Sequence, residues 1–511
     1  MNNSPDRKFN IHRFHGFFSR SDDPVIQLIK VALGPLIALL INLLVEIDPA
    51  RPQLTYMLSI AVWMAVWWIL EAVPIAVTAI LPFILFPFFG IMNTNDIAPL
   101  YMNQVIFLFI GGFIIAIAME KWNLHRRIAL RIIMSVGNHP GKILASFMFA
   151  SYFLSMWISN TATVMMMLPT TLAIVYEINN QSGRTAGFSI ALLLGVAYAS
   201  SIGGIATLVG TPPNLIFLSN YIKAFPNEQT VNFTTWFVFA LPTSLILFVV
   251  AFFLLKKFFI HRDSYAGLDP AILKEEYLSL GKITYEEKMV LTVFVGTAVL
   301  WFTRADLQIG DLLLPGWNKL FPNPEYYTDA TVAIFMALIL FIIPAKNPKG
   351  KMLMNTRALS KIPFGVILLF GGGFALAEGF IKTGLSQWMA DQLAVFAVFP
   401  TFVLVLSITT FMNFFTEFTS NTASSQIFLP VILVLSQSIG VDPLLLMIPV
   451  TIAASFAFML PIATPANMIV FGSDMIKVKD MIKAGIWLNL AGSLIVTIMM
   501  FLWGKVVFGL G

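Results

Sequence analysis

The tripeptide Ser-Asn-Thr stands at 159–161 inside an apolar run that continues to Pro169, and it stands again at 420–422 ahead of Pro430, 261 positions later. In a segment soluble in hydrocarbon such a cluster is expensive unless it binds something, because its polar groups find no water. The same offset relates Phe109, Gly111, Gly112, Phe113, Ala116, Lys121 and Leu124 to Phe370, Gly372, Gly373, Phe374, Ala377, Lys382 and Leu385. The Thr211-Pro212 and Thr464-Pro465 pairs are offset by 253, which a shorter connection in the second copy absorbs. A chain with this pattern is two copies of one unit, and its two polar clusters read as one site built from two halves.

The medium follows from composition: 58% of the 511 residues are hydrophobic and 11% charged, against roughly 25% charged in a soluble domain. The apolar runs are continuous rather than alternating, so the spanning elements are helices and the fold is an all-α polytopic membrane protein. Runs near the ~20 residues that a bilayer requires place spans at 25–45, 54–72, 74–89, 104–119, 235–260, 289–301, 330–343, 364–380 and 484–508. Stretches 142–178 and 401–438 carry the Ser-Asn-Thr clusters and are predicted to fold back as re-entrant hairpins. Stretches 186–222 and 444–471 are interrupted by Gly210-Thr211-Pro212-Pro213-Asn214 and Thr464-Pro465-Ala466-Asn467, so each is predicted to be a helix broken near mid-membrane. Residues 124–133 and 382–399 are predicted to lie along the interface, the first with its basic and apolar positions on opposite faces. About eleven spans plus two hairpins result.

The basic residues supply a test of this map. With a cytoplasmic N-terminus, all but six of the 31 lysines and arginines (Arg51, Lys223, Arg304, Lys319, Lys382 and Lys505 excepted) fall in cytoplasmic segments, as the positive-inside rule requires. The net charge of +5 is then a topology signal, not a nucleic-acid footprint. The basic tail 1–24 reads as a retained cytoplasmic segment, residues 261–287 as a cytoplasmic linker, and the C-terminus as external. Five crossings separate the equivalent hairpins. The repeats, 25–260 and 288–511, therefore enter from opposite faces, the inverted architecture of alternating-access carriers.

Each hairpin tip and each break presents a helix N-terminus, whose free N–H groups attract anions, while Asn and Thr add donors. Neither cluster nor break contains Arg or Lys. Carbonyl oxygens at the breaks, with the Ser155 and Thr416 hydroxyls, are suitable hard ligands for a balancing cation. Gly371-Gly372-Gly373 and Gly111-Gly112 read as close-packing surfaces, since no strand precedes them. Glu378 and Glu417 are intramembrane carboxylates, for which a helix cap, a local pairing and the less favoured proton relay all stay open; Glu71 reads as a hinge residue. With no cysteine and all five histidines in loops or interfacial segments, no intramembrane metal, haem or thiol chemistry is supported, and neither an enzyme nor a resident cofactor is expected. An anion channel is disfavoured by two hairpins and two broken helices.

These residues, together with Trp67-Trp68-Ile69-Leu70-Glu71-Ala72-Val73-Pro74 and Thr416-Glu417-Phe418-Thr419-Ser420-Asn421, resemble the divalent anion/sodium symporter family, the INDY-type dicarboxylate transporters. The resemblance covers essentially the whole chain beyond the tail. It implies a plasma-membrane homodimer with scaffold helices (25–103 and 288–380) and a mobile transport part working as an elevator on succinate, malate, fumarate, 2-oxoglutarate, citrate or, in some members, sulfate. It implies that Asn160, Thr161, Thr211, Pro212, Asn421, Thr422, Thr464 and Pro465 contact the substrate. One sodium site would use Ser155, Ser159, Asn160 and Gly210, and the other Thr416, Ser420, Asn421 and Ala463. Both clusters are complete, whereas sulfate-type relatives tend to alter the second, so a C4 dicarboxylate is favoured. Some members exchange dicarboxylates without sodium, and the motif leaves symport and exchange both open.

Overall fold

A computed structural model of the protein describes residues 24–135, 139–182, 186–226, 228, 231–260, 270–309, 312–346 and 351–510. The basic tail ahead of Pro24 and residues 261–269 of the expected linker lie outside them. The described chain is helical apart from a pair of three-residue antiparallel strands, Leu307–Ile309 and Leu312–Leu314.

The first group of helices is α1 (Pro24–Leu44), α2 (Gln53–Leu70), α3 (Leu81–Phe88) and α4 (Gln104–Lys121). Glu71 closes α2 in the left-handed region at φ 46°. The single span expected over 74–89 is divided instead: one turn, Ile75–Thr78, is followed by a break and then α3. Pro74, Pro82 and Pro87 each lack the N–H that a continuous helix would use. Asn103 accepts from the Val105 and Ile106 N–H groups and so starts α4.

Next come α5 (Leu124–Met134), α6 (Pro140–Ser155), α7 (Asn160–Ser182), α8 (Ala186–Gly204), α9 (Pro212–Ala224) and α10 (Phe233–Phe259). The long stretch 142–178 is therefore two helices that meet at the first Ser-Asn-Thr, and 186–222 is broken between Gly204 and Pro212. Helix α8 is the axis of this half. It is 89% buried, whereas α1 is only 11% buried and turns Leu28, Leu43 and Leu44 outward, as a lipid-facing helix does. Glycines let α8 lie against α6, since a Cβ at Gly195 would come within 2.8 Å of Leu144 and one at Gly203 would collide with the Tyr152 carbonyl.

A short helix, α11 (Pro270–Ser279), precedes α12 (Tyr285–Phe302), α13 (Asp329–Ile342), α14 (Phe364–Thr383), α15 (Leu385–Leu393), α16 (Thr401–Thr416), α17 (Asn421–Ser438), α18 (Pro443–Ala453), α19 (Pro465–Phe471) and α20 (Val478–Met499). The second Ser-Asn-Thr again joins two helices, and the second break runs from Ala453 to Pro465. Among the described residues seven helices are long and apolar enough to cross a membrane alone, or eight if the pair bent by 117° before Thr401 counts as one. The other four expected spans fall short because Ile75–Phe88, α13 and α18 are brief, and because Glu286, Glu287 and Lys288 open α12.

The glycines behave as packing surfaces. A Cβ at Gly111 would meet the Ala333 backbone at 2.6 Å, and Gly371 and Gly372 lie directly on Tyr101 and Ala79. Helix α5 departs from the expectation that its basic face is solvated. Arg127 turns inward, 7% exposed, and donates to both Glu287 carboxylate oxygens and to the Leu280 and Gly281 carbonyls. This pair fixes α5 to the start of α12, where Thr284 and Glu287 form a capping box. Arg127→Ala leaves a buried carboxylate without its partner, so a loss of about 3–5 kcal/mol is expected, visible as a lowered melting temperature in detergent. Removing Glu287 as well should recover part of that loss.

Candidate functional site

Both tips share two local hydrogen bonds. In the first, α6 ends at Ser155, three residues turn the chain, and the Ser159 carbonyl and hydroxyl accept from the Thr163 and Ala162 N–H groups at the start of α7. Ser155 Oγ donates to Asn160 Oδ1 at 2.6 Å. In the second, Ser424 N–H bonds the Ser420 carbonyl, and Thr416 Oγ1 lies 2.8 Å from Asn421 Oδ1. Position for position, at the offset of 261, the hydroxyl and the amide oxygen are the same pair. Thr416 also reaches the Ala454 carbonyl at 3.0 Å, so the second tip is tied to its own break.

The two breaks share a brace. Asn214 Nδ2 donates to the Thr207 and Gly204 carbonyls at 2.7 and 3.2 Å; Asn467 Nδ2 donates to the Ala457 and Leu460 carbonyls at 2.7 and 3.1 Å. All three positions of one brace match those of the other at the offset of 253. Each break thus spends one amide on two carbonyls that the helix no longer satisfies. Thr211 and Thr464 then turn the chain into the next helix with almost identical extended backbones, φ −147° and −141°. Proline at the first helical position suits the restart, since its missing N–H is one the helix start would not use.

Tip and break touch in the first half because glycine permits it. Asn160 Oδ1 lies where a Cβ on Gly204 would come within 2.6 Å, and Gly210 packs on the Gly204 carbonyl. The structure therefore brings Ser155, Asn160 and Gly210 together around Gly204; in the second half it brings Thr416 and Asn421 together with Ala454. Ser159, Asn160, Thr161, Ser420, Asn421, Thr422 and Pro212 are half-buried, Gly210, Thr211, Ala463 and Thr464 buried, and Pro465 exposed. The halves are joined crosswise, with α7 packed on α19 and α9 packed on α17. Four helix N-termini, at Asn160, Pro212, Asn421 and Pro465, consequently belong to one packed group. Its chemistry is amide and hydroxyl donors for an anion, and carbonyl, amide and hydroxyl oxygens for a hard cation.

Glu417 is an anchor. Its carboxylate accepts from the Phe458, Met459 and Leu460 N–H groups at 2.7, 2.8 and 3.0 Å and from Asn489 Nδ2 at 2.7 Å. The first half makes the corresponding link with other chemistry: Met156 stands at the position of Glu417 and Thr207 at that of Leu460, and the Thr207 hydroxyl donates to the Met156 carbonyl. A third matched pair lies one helix out, with Tyr152 on Ser244 and Asn413 on Ser493. Glu378 pairs with Lys223 at 2.9 Å. Sequence reasoning did not assign Asn214, Asn467, Gly204, Asn489 or Lys223, although the two asparagines follow their Thr-Pro pairs at equal spacing.

A cavity of about 200 Å³ adjoins the first tip, lined by Ser159, Ala162, Trp157, Gly112, Glu120 and Lys361 among others. It separates the tip from α4.

The family model for the sodium:sulfate symporter transmembrane region matches residues 27–510. The sodium-dependent dicarboxylate transporter SdcS of Staphylococcus saprophyticus is 41% identical, covering 98% of this chain and 96% of that protein. SdcS of Staphylococcus aureus is 41% identical with the same coverage. Among solved structures, MtrF of Neisseria gonorrhoeae, from a class of antimetabolite efflux pumps, aligns with a TM-score of 0.55 over 84% of both chains at 14% identity, a likeness of fold. Two tips, two breaks and an alignment that runs through all of them lead to one assignment: the chain is a member of the divalent anion/sodium symporter family, whose proteins are membrane transporters and not enzymes.

Proposed function

We propose that the protein is a secondary active transporter that carries C4 dicarboxylates, succinate, malate and fumarate first among them, together with sodium. The observation that carries this reading is the duplicated oxygen cluster, Ser155 with Asn160 and Thr416 with Asn421, set at helix N-termini, with no Arg or Lys in either Ser-Asn-Thr stretch or either break. Two clusters suit an anion that carries a carboxylate at each end, one end held by the Asn160 and Thr161 tip and the other by the Asn421 and Thr422 tip. Thr211-Pro212 and Thr464-Pro465 would complete the cradle. Holding the anion with dipoles and amides rather than with arginine keeps the grip weak enough for release.

Sodium belongs in this scheme as cargo that lowers the electrostatic cost of moving a dianion. One ion would use Ser155, Ser159, Asn160 and Gly210, the other Thr416, Ser420, Asn421 and Ala463, all oxygen donors of the kind a hard cation takes. The tips and breaks would move as a transport part against the scaffold helices, in an elevator cycle within a homodimer. The name carried by the SdcS relatives supports dicarboxylate and sodium; the family's description keeps sulfate as the competing anion.

Labelled succinate uptake into proteoliposomes decides among these readings. An inward sodium gradient is expected to drive accumulation without internal dicarboxylate, and excess sulfate is expected to leave it unchanged. Uptake that requires internal dicarboxylate and ignores sodium would make the protein an exchanger, and competition by sulfate would change the substrate.

A further inference from the structure

The repeat keeps its tip pairs and its two braces, but its two halves meet α4 and α14, the helices that correspond at the offset of 261, differently. In the second half Gln426 is 1% exposed. Its Nε2 donates to the Leu369 carbonyl at 3.1 Å and its side chain lies against Gly373, where no Cβ would fit. In the first half the matching residue, Met165, is 61% exposed, and the matching glycine, Gly112, has only Val209 within reach of a Cβ, at 3.4 Å. The space that Gln426 fills on one side is part of the cavity beside Ser159 on the other. Ala423 is fully buried, while its counterpart Ala162 lines that cavity. The sequence difference between Gln426 and Met165 does not account for all of this, since the pairs Ala423 and Ala162, and Gly373 and Gly112, are identical residues in different surroundings.

The closed side carries a largely buried ion pair between α9 and α14, whereas the ion pair at the open cavity, Lys361 with Glu120 at 3.9 Å, is exposed and does not involve α19. Lys223, at the end of α9, reaches Glu378 Oε2 at 2.9 Å and the Phe374 carbonyl at 2.7 Å, both on α14. The side chains are 19% and 25% exposed, so water screens the pair little. The corresponding positions in the other arrangement are Ile476 and Ile117. We infer that the seam between α17 and α14 is the shut gate of this conformation and that Lys223 and Glu378 form its latch. The inference rests on the carrier reading above: for the site to open on the other side, Lys223 must leave α14, Gln426 must leave Gly373, and Met165 must settle over Gly112. The latch biases the cycle without touching substrate, and the equivalent positions at the other gate, both isoleucine, cannot form it.

The chain contains no cysteine, so a single cysteine reports cleanly. Ala423→Cys places it behind the shut gate and Ala162→Cys places it in the open cavity. In full-length protein reconstituted into liposomes, Lys223→Gln or Glu378→Gln is expected to raise the labelling rate of the first probe by a polar maleimide about fivefold and to lower that of the second, as a population shift requires. The exchanged pair, Lys223→Glu with Glu378→Lys, is expected to return both rates towards the parent. A variant that merely loosens the fold would raise both rates. Unchanged labelling, or a rise at both probes that the exchanged pair does not reverse, overturns the latch. Labelling needs no substrate, so a failure of succinate uptake would remove the dicarboxylate reading and leave this result standing.

Discussion

Asn421→Ala is expected to lower sodium-driven succinate uptake at least about 100-fold, with Asn160→Ala following closely. Under the proposed function each of these side chains would have two jobs. The amide oxygen sits beside a hydroxyl, Ser155 in one half and Thr416 in the other, where a cation would take both oxygens. The amide nitrogen is a donor at the start of a helix, where a carboxylate would accept it together with backbone N–H groups. A hydrogen bond to a charged group contributes about 1.5–3 kcal/mol, so loss of one ligand to each charged cargo removes about 3–6 kcal/mol, about two to four powers of ten in rate. Thr161→Ala and Thr422→Ala each remove a single hydroxyl and are expected to cost about tenfold. Initial uptake rates, normalised to reconstituted protein, read all four. Wild-type rates in both asparagine variants would take the tips out of the site.

Glu417→Ala carries the second large effect, and it falls on the fold. The carboxylate, 1% exposed, is the acceptor for three consecutive backbone N–H groups and for Asn489 Nδ2. Alanine leaves four donors without partners where little water reaches, at about 1–3 kcal/mol each, enough to exceed half of a typical domain's stability of about 5–15 kcal/mol. The expected result is little folded protein after detergent extraction. Glu417→Gln keeps one acceptor oxygen but sets an NH2 group among donors, so an intermediate loss in melting temperature is expected. Any of this variant that folds should transport with an unaltered pH profile. A proton relay would behave in the opposite way: Glu417→Gln would fold normally and its pH profile would shift.

The tips and breaks were legible from sequence because they rest on local chemistry. Gly, Pro and a polar tripeptide interrupt a helix wherever they fall, and an equal offset exposes their pairing at any distance. The contacts that join distant stretches were not legible. Lys223 and Glu378 are far apart in the chain and neither sits in a pattern, and Arg127 looks like one more basic residue on an interfacial helix until Glu287 is placed beneath it. The divided span after Pro74 was missed because hydropathy counts apolar residues and is blind to the N–H groups that three prolines withhold. Glu417 stands out in the sequence as a carboxylate in an apolar stretch, yet its partners are three N–H groups inside the second break and Asn489 beyond it, and only packing shows that they use up its acceptors.

The braces of Asn214 and Asn467 bear on how affinity is divided between enthalpy and order. A loop that coordinates an ion normally loses conformational freedom when the ion arrives, and that loss is subtracted from binding. Here each loop is stapled in advance by an amide that bonds carbonyls on the segment leading into the break. The oxygens stand ready, so under the proposed function cation binding would carry a small entropic penalty and would not wait for the loop to fold around it. Shortening either asparagine would keep every proposed ligand in the chain while removing their rigidity, and the calorimetric signature would be weaker binding through a more unfavourable entropy.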